Sequence, residues 1–211
     1  MQSKPDAKAN FSEKSTPKPL SLETLYHKYG IERSHAENVA QNALKLFDLL
    51  APLHGLSKKH RKLMEIAALV HDIGISTALE THHQAGQAIL YRNPPAEISE
   101  KLQPVVAWTT FLHRKKAGKK KVEKLQKTAF SELSSEVQAL TLKLAALLRL
   151  ADALDYSRMG SQIGNVAFKE GAVKLEIKGP GAYIDSERMY KKGDLWALLF
   201  KTKLEFSPVT T

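Results

Sequence analysis

Cysteine is absent from the 211-residue chain. That excludes disulfides, thiolate metal sites and a cysteine nucleophile, and it leaves no mark of an oxidising compartment. No apolar run approaches the ~20 residues needed to span a bilayer, so a membrane is not an expected partner. The start of the chain, through Pro19, holds no apolar core and does not read as a secretory signal, which makes a cytoplasmic protein the default expectation. Acidic side chains are outnumbered, 22 against 32 Lys plus Arg, for a net charge of +10. Such a surplus suits a polyanionic partner such as a phosphate ester, polyphosphate or nucleic acid. With 43% hydrophobic and 26% charged residues the composition is that of a globular protein. At about 100–200 residues per domain, the length allows one domain, or one with a small appendage.

Residues 1–20 are rich in Lys, Ser, Pro and Ala without an apolar period and read as a disordered basic tail. From Ser21 the pattern is helical. Ser34 to Glu37 reads as a capping box, followed by Val39, Ala43, Leu46 and Leu50 on one face. A second helix starts near Ser57, with Leu63, Ile66, Ala67 and Val70 inward and Gly74 at its end. Thr77 to Glu80 reads as another capping box, opening a helix to Arg92. A fourth helix spans Ile98 to His113. Arg114 to Lys127 then carries eight cationic side chains against one acid, Glu123, and the run Lys119–Lys121 reads as a loop. Ser135 to Gln138 caps a long, mostly apolar helix from Val137 to Tyr156, of the kind buried centrally. After Gly160 the period shortens. Val166–Phe168 and Val173–Ile177 alternate as strands, a helix follows over Asp185–Phe200, and Lys203–Phe206 reads as a last strand. The expected fold is therefore mainly α: a helical domain over 21–160, then a small C-terminal α+β (β-β-α-β) subdomain over 161–211. The apolar strands of that tail can pair between subunits, which would make a homodimer.

His35, the adjacent His71 and Asp72, and Asp152 each sit in an otherwise apolar stretch. A buried charge is costly unless it is paired or bound to a metal. Imidazole suits zinc, nickel or iron, and carboxylate suits manganese or magnesium. Spacing alone leaves two readings open: a divalent site, or satisfied core histidines with Asp152 paired to Arg149.

The motifs around these residues resemble a known family. His35, His71–Asp72 and Asp152, in that order, look like the H…HD…D signature of the HD-domain metal-dependent phosphohydrolases. Residues Ala67–Gly74 (AALVHDIG) resemble the family's AALLHDIG helix, and His82–Leu90 resembles the HxxxGxxIL helix of HD-GYP phosphodiesterases. The nearest likeness is to the C-terminal HD-type domain of the exopolyphosphatase/guanosine pentaphosphate phosphohydrolase (Ppx/GppA) family. It runs from about Leu22 to Phe206 and takes in His113 to Lys115 and Leu148 to Arg158. Two departures stand out. The actin-like domain that precedes this module in the family has no room in 211 residues, so the expectation is a stand-alone module. The family's third histidine in HHKHS is Ala85 here.

The resemblance implies that His35, His71, Asp72 and Asp152 hold a first metal, and that His82 and His113 hold a second with Asp72 bridging. His71 and Asp72 form the catalytic pair. His83 is the alternative to His82, since neighbours on a helix face different ways. One or two divalent ions (Mn, Mg, Ni, Co, Fe or Zn) are the implied cofactor. The implied activity is hydrolysis of a phosphate ester or phosphoanhydride in a nucleotide, cyclic nucleotide or polyphosphate by metal-activated water. Arg114, Lys115 and Lys116 are candidates to clamp phosphate, with Arg149 and Arg158 flanking Asp152. The competing expectation is a non-catalytic polyphosphate- or nucleotide-binding regulatory module. The sequence has no aromatic stacking motif and no DNA-reading helix, which argues against nucleic acid. His27, His54 and His60 have no motif around them and read as solvent-facing.

Overall fold

The computed structural model describes residues 16–209. The helical part comprises α1 (Leu22–Tyr29), α2 (Arg33–Leu49), α3 (Ala51–His54), α4 (Arg61–Leu69), α5 (His82–Arg92), α6 (Gln103–Leu112), α7 (Lys119–Leu125) and α8 (Ser135–Leu154). It is followed by β1 (Gln162–Lys169), β2 (Ala172–Lys178), α9 (Ala182–Lys192), α10 (Asp194–Phe200) and β3 (Lys203–Val209). The chain is thus mainly α with a small C-terminal α+β part. Among the described residues, no helix is long and apolar enough to cross a membrane.

Helix α8 is the axis of the molecule. Leu144, Leu147, Leu148, Leu150, Ala151 and Leu154 are all fully buried, so its apolar surface is covered on nearly every side. Helices α2, α6 and α9 pack against it, and α10 touches it as well. Each fully buried leucine stabilises the fold by about 1.5–3 kcal/mol. The same core continues into Ile163, Val173, Leu175, Ile177, Leu204 and Phe206 of the sheet. The C-terminal part is therefore welded to the bundle by apolar contact.

The sheet order is β1-β2-β3. β1 runs antiparallel to β2, with Val166 opposite Leu175, and β3 runs parallel to β2, with Phe206 opposite Leu175. Parallel neighbours need a crossover connection, and α9 with α10 supplies it. α9 lies on the sheet, and Gly193 ends it and opens α10. The single helix expected over Asp185–Phe200 is two.

Other boundaries differ from the sequence reading for local reasons. α2 begins at Arg33, behind Glu32, and the Ser34 hydroxyl makes no cap. The buried Ile31 and the left-handed turn at Gly30 (φ 59°) set that start earlier. The second helix is shorter than Ser57–Gly74, because α4 ends at Leu69 and residues 70–77 turn away. Thr77 caps nothing: a 3-10 turn at Leu79–Thr81 leads into α5. The fourth helix starts at Gln103 after a 3-10 turn, with Pro104 in its first turn. Ser134, not Ser135, caps α8 through the Val137 amide. The Lys119–Lys121 run is the first turn of α7 and not a loop, since Lys is a good helix former and the buried Leu125 anchors it. Most of the expected tail lies outside the described residues. The described part is pinned by Lys18 and Leu20 amides donating to the Arg92 and Pro94 carbonyls.

Candidate metal centre

The residues singled out in the sequence arrive from the ends of five helices. His35 lies in the first turn of α2, His82 opens α5, and His113 follows the last residue of α6. Asp152 is in the last turn of α8, and His71 and Asp72 sit in the turn beyond α4. That turn is pressed against α5. A Cβ on Gly74 would lie 2.2 Å from the His82 carbonyl oxygen and 2.5 Å from the Gly86 nitrogen, so only glycine admits the contact. The close approach brings His82 to Asp72.

Asp72 is the hub. Its Oδ2 lies 3.4 Å from His71 Nε2 and 3.6 Å from His35 Nε2. Its Oδ1 lies 3.3 Å from His82 Nε2 and 3.4 Å from His113 Nε2. Asp152 Oδ1 lies 3.7 Å from His35 Nε2 and 3.8 Å from His71 Nε2. The donor atoms fall into two groups that share Asp72: His35, His71 and Asp72, and Asp72, His82 and His113.

The outer nitrogens explain the inner ones. His71 Nδ1 donates to the Ala68 carbonyl at 2.7 Å, and His82 Nδ1 to the Leu79 carbonyl at 2.8 Å. His113 Nδ1 donates to the Thr110 carbonyl. A carbonyl only accepts, so each Nδ1 carries a hydrogen and Nε2 is the ring atom left to face inward. His35 Nδ1 is held instead by the Asp155 carboxylate at 2.6 Å. Asp155 is buried and is the α8 C-cap; the sequence reading did not single it out. It sits three residues after Asp152, on the same helix face, and that spacing was the available signal.

This donor set suits a cation. His71 Nε2 is buried and has no hydrogen-bond partner among the described residues. His82 and His113 place Nε2 against Nε2 at 3.1 Å, two lone pairs facing each other. Hydrogen bonds within the cluster do not relieve that opposition unless a proton or a metal ion enters. The electrostatics agree. Burial alone would push His71 down, but the Asp72 carboxylate and then Asp152 outweigh it and raise the imidazole to about 9. Burial likewise works against ionised Asp72, yet His71 and His113 hold it well below the usual carboxylate range. Burial pushes His113 down despite Asp72. The carboxylates thus draw positive charge onto the cluster. Four imidazole nitrogens and the Asp72 carboxylate, with each outer ring nitrogen fixed by a second partner and Asp152 at the edge of the cluster, form a donor set that fits a divalent ion.

His83 points the other way. It packs at a tilt against Phe111, and burial above all lowers it to about 4. His82 is the neighbour that reaches the cluster. Of the histidines expected at the surface, His27 is exposed, His60 is half-buried and His54 is fully buried. His54 Nε2 donates to the Phe47 carbonyl at 2.7 Å while Nδ1 accepts the Leu56 amide at 2.9 Å, a staple across a turn.

The basic residues divide into two kinds. Arg149 is buried and donates to the carbonyls of Leu112, His113 and Lys115 and to Asp194 Oδ1 at 2.6 Å. Its ion-pair partner is Asp194 and not Asp152, and its guanidinium is committed to holding the 112–115 loop in place. Arg114 turns one nitrogen to the Leu79 and Glu80 carbonyls. Arg158 reaches Asp155 at 3.4 Å and Glu32 at 3.7 Å. Lys115 and Lys116 are exposed. The cation on the cluster itself is Lys192 of α9, which the sequence reading missed. Its Nζ donates to the His113 carbonyl at 2.9 Å and lies 3.5 Å from Asp152 Oδ2. Burial pushes its ammonium down, and Asp152 opposes that. With Arg114, Lys115, Lys116, Arg149, Arg188 and Lys191 it lines a cavity of about 570 Å3 whose lining, among the described residues, is all basic.

Comparison with known proteins places this architecture. A segment of 56 residues is 36% identical to the guanosine-5'-triphosphate,3'-diphosphate pyrophosphatase of Aeromonas hydrophila subsp. hydrophila, covering 26% of this chain and 11% of that relative. The match therefore spans about a tenth of that protein's length. Residues 18–196 match the family model described as Ppx/GppA phosphatase, domain III, which takes in the whole bundle and the cluster, and the chain belongs to that phosphatase family.

Proposed function

We propose that the chain is an HD-type, divalent-metal-dependent phosphohydrolase acting on a phosphate ester or phosphoanhydride. One observation carries the reading: four imidazole Nε2 atoms converge on the Asp72 carboxylate, with Asp152 within 3.8 Å of two of them and every outer Nδ1 already bonded. His35, His71, Asp72 and Asp152 would hold one ion, and Asp72, His82 and His113 a second. A divalent ion there supplies a Lewis acid for a phosphoryl oxygen and lowers the pKa of water toward 7.

The chain's own residues do the rest. Asp72 presents one oxygen to each group and fixes their separation. Asp155 orients His35, and the Ala68, Leu79 and Thr110 carbonyls hold the other three imidazoles in one tautomer. Lys192 binds the outer oxygen of Asp152 and offsets its charge. Lys115 and Lys116, with the free edge of Arg114, face the cavity beside the cluster and would bind the phosphate oxygens that do not react. Arg149 positions that loop from behind.

The second reading, a binding module without turnover, is favoured by the match being to one domain of a longer relative. A phosphate-release screen with Mn, Mg, Ni and Co across nucleotides, cyclic nucleotides and polyphosphate separates the two. Metal-dependent release abolished by His71→Ala supports the hydrolase. Bound metal and retained polyphosphate without release of phosphate from any substrate supports the binding module.

A further inference from the structure

A hollow of about 840 Å3 lies between α5, α6 and residues 128–129, and none of the cluster's ligands lines it. Its walls follow from the period of the two helices. On α5, Gln84, Gln87, Ala88 and Tyr91 recur at helical spacing, with Ala85 beside them. On α6, Trp108 and Phe111 stand one turn apart. The two alanines leave α5 low where the rings of α6 stand high, and the gap between them is the hollow. Exposed Thr81, Gln84 and Thr128 mark its open side. Among the described residues, none of its lining side chains is acidic or basic. Lys121 lies outside the lining, with Nζ 4.4 Å from the centre of the Phe111 ring.

Two polar groups in that apolar setting have nothing to bond. Trp108 is 5% exposed, and its buried indole N–H has no hydrogen-bond partner among the described residues. The Gln87 side-chain nitrogen is also buried and also lacks one. Native interiors rarely keep a buried donor unpaired, because the group gave up water to get there. An indole N–H can only donate. Tyr91 gives its direction. Burial raises the Tyr91 hydroxyl and Trp108 works against that rise, so the indole N–H points to the Tyr91 side of the hollow without making a bond there. The other indole of the chain shows the contrast: Trp196 Nε1 donates to the Thr202 carbonyl at 3.1 Å.

We propose that this hollow binds an uncharged, flat, carbonyl-bearing small molecule, whose oxygen accepts from Trp108 and Gln87 and whose ring lies between the α5 alanines and the α6 aromatics. Small-molecule sites are built this way: a space of about 300–1,000 Å3 with apolar walls and a few convergent polar groups. The missing chemistry identifies the ligand class. Two unpaired donors call for an acceptor. A lining without a cation offers nothing to a phosphate or a carboxylate, which sets this hollow apart from the basic cavity beside the cluster. A slot with one low wall and one aromatic wall suits a flat ring better than a branched chain. The site shares no residue with the cluster, so it stands or falls apart from the phosphohydrolase reading.

The probe is coumarin, a neutral fused-ring lactone, titrated into the full chain labelled with nitrogen-15. The chain has two tryptophans, so the readout is two indole N–H resonances. Trp108→Phe assigns them by removing one. Coumarin is expected to move the Trp108 resonance downfield to saturation, as a newly formed hydrogen bond does. The Trp196 resonance, whose N–H is already bonded, is expected to stay in place. Gln87→Met keeps the bulk and removes the donor, and is expected to weaken coumarin binding about two- to tenfold, the scale of one hydrogen bond. Ala85→Leu, at a half-buried position of α5, fills the slot and is expected to weaken it about tenfold or more. Circular dichroism checks the fold of each variant, and neither the parent's resonances nor Gln87→Met depends on Ala85→Leu being folded. A Trp108 resonance that ignores coumarin, an equal response at both indoles, or an affinity unchanged in the folded variants overturns the proposal.

Discussion

Asp155→Ala is the most informative single change to the cluster's surroundings. The Asp155 carboxylate touches no other member of the cluster's ligand set, but it holds His35 Nδ1 at 2.6 Å and is itself buried. Without it the His35 ring loses both its tautomer and its rotational anchor. Removing such an outer partner of a metal-binding histidine costs about 10–100-fold in metal affinity. At 1.36 kcal/mol per factor of ten, that is about 1.4–2.7 kcal/mol. The other groups around Asp155, Arg158 and Asn38, are exposed at the surface and can turn to water, so α8 should persist. The assay is calorimetric titration of the metal-free chain with Mn or Co, with circular dichroism as the check on folding. Asp48→Ala, which breaks the exposed Arg61–Asp48 pair, is the control: it should leave metal affinity unchanged and cost less than about 1 kcal/mol of stability. An Asp155→Ala chain that is folded and binds metal as tightly as the parent would refute the role given to that carboxylate.

Three further outcomes are expected. His82→Ala should weaken divalent binding while His83→Ala should not, because only His82 presents Nε2 to Asp72; equal losses in titration would contradict the assignment. Gly74→Ala should destabilise by about 1–3 kcal/mol in urea unfolding, through overlap with backbone atoms at 2.2 and 2.5 Å. Gly86→Ala meets side-chain methyls at 3.0 and 3.3 Å and the Gly74 nitrogen no closer than 3.5 Å, and should cost less; the reverse order would count against the close packing of α5 on that turn. In chelator, His71 is raised from 6.5 to about 9 by Asp72 against the effect of burial. A raised folded-state pKa gives stability that is fully present below pH 6.5 and lost as pH rises through about 9. Urea midpoints of the metal-free chain should fall across that window, and a flat profile in which His71→Gln matches the parent would contradict it.

Helix stripes and strand alternation were legible because burial on one face leaves a period in the sequence. The order of His35, His71, Asp72, His82, His113 and Asp152 was legible too, since a resemblance preserves residue type and order. Helix starts were less so. Ser34 and Thr77 carry the letters of capping boxes, but a buried Ile31 after Gly30 starts α2 earlier, and the contact of His82 with Gly74 delays α5. Asp155 and Lys192 were missed for a different reason. Lys192 lies forty residues beyond Asp152 and reaches it only because α9 folds back along α8. Asp155 acts through His35, 120 positions away. Arg149 looked like a ligand for phosphate or for Asp152, and only the packed loop at 112–115 reveals its carbonyl partners. Local signals name residue types; the partners come from closure of the chain.

The central claim is a divalent centre organised on Asp72, and metal counting tests it most directly. Equilibrium dialysis with Mn or Co followed by elemental analysis should find ions bound to the parent chain. His35→Ala and His82→Ala should each lose part of that binding, from different groups, and Asp72→Ala should lose all of it. A parent chain that binds no divalent ion, or an Asp72→Ala chain that binds as many ions as the parent, would contradict the account.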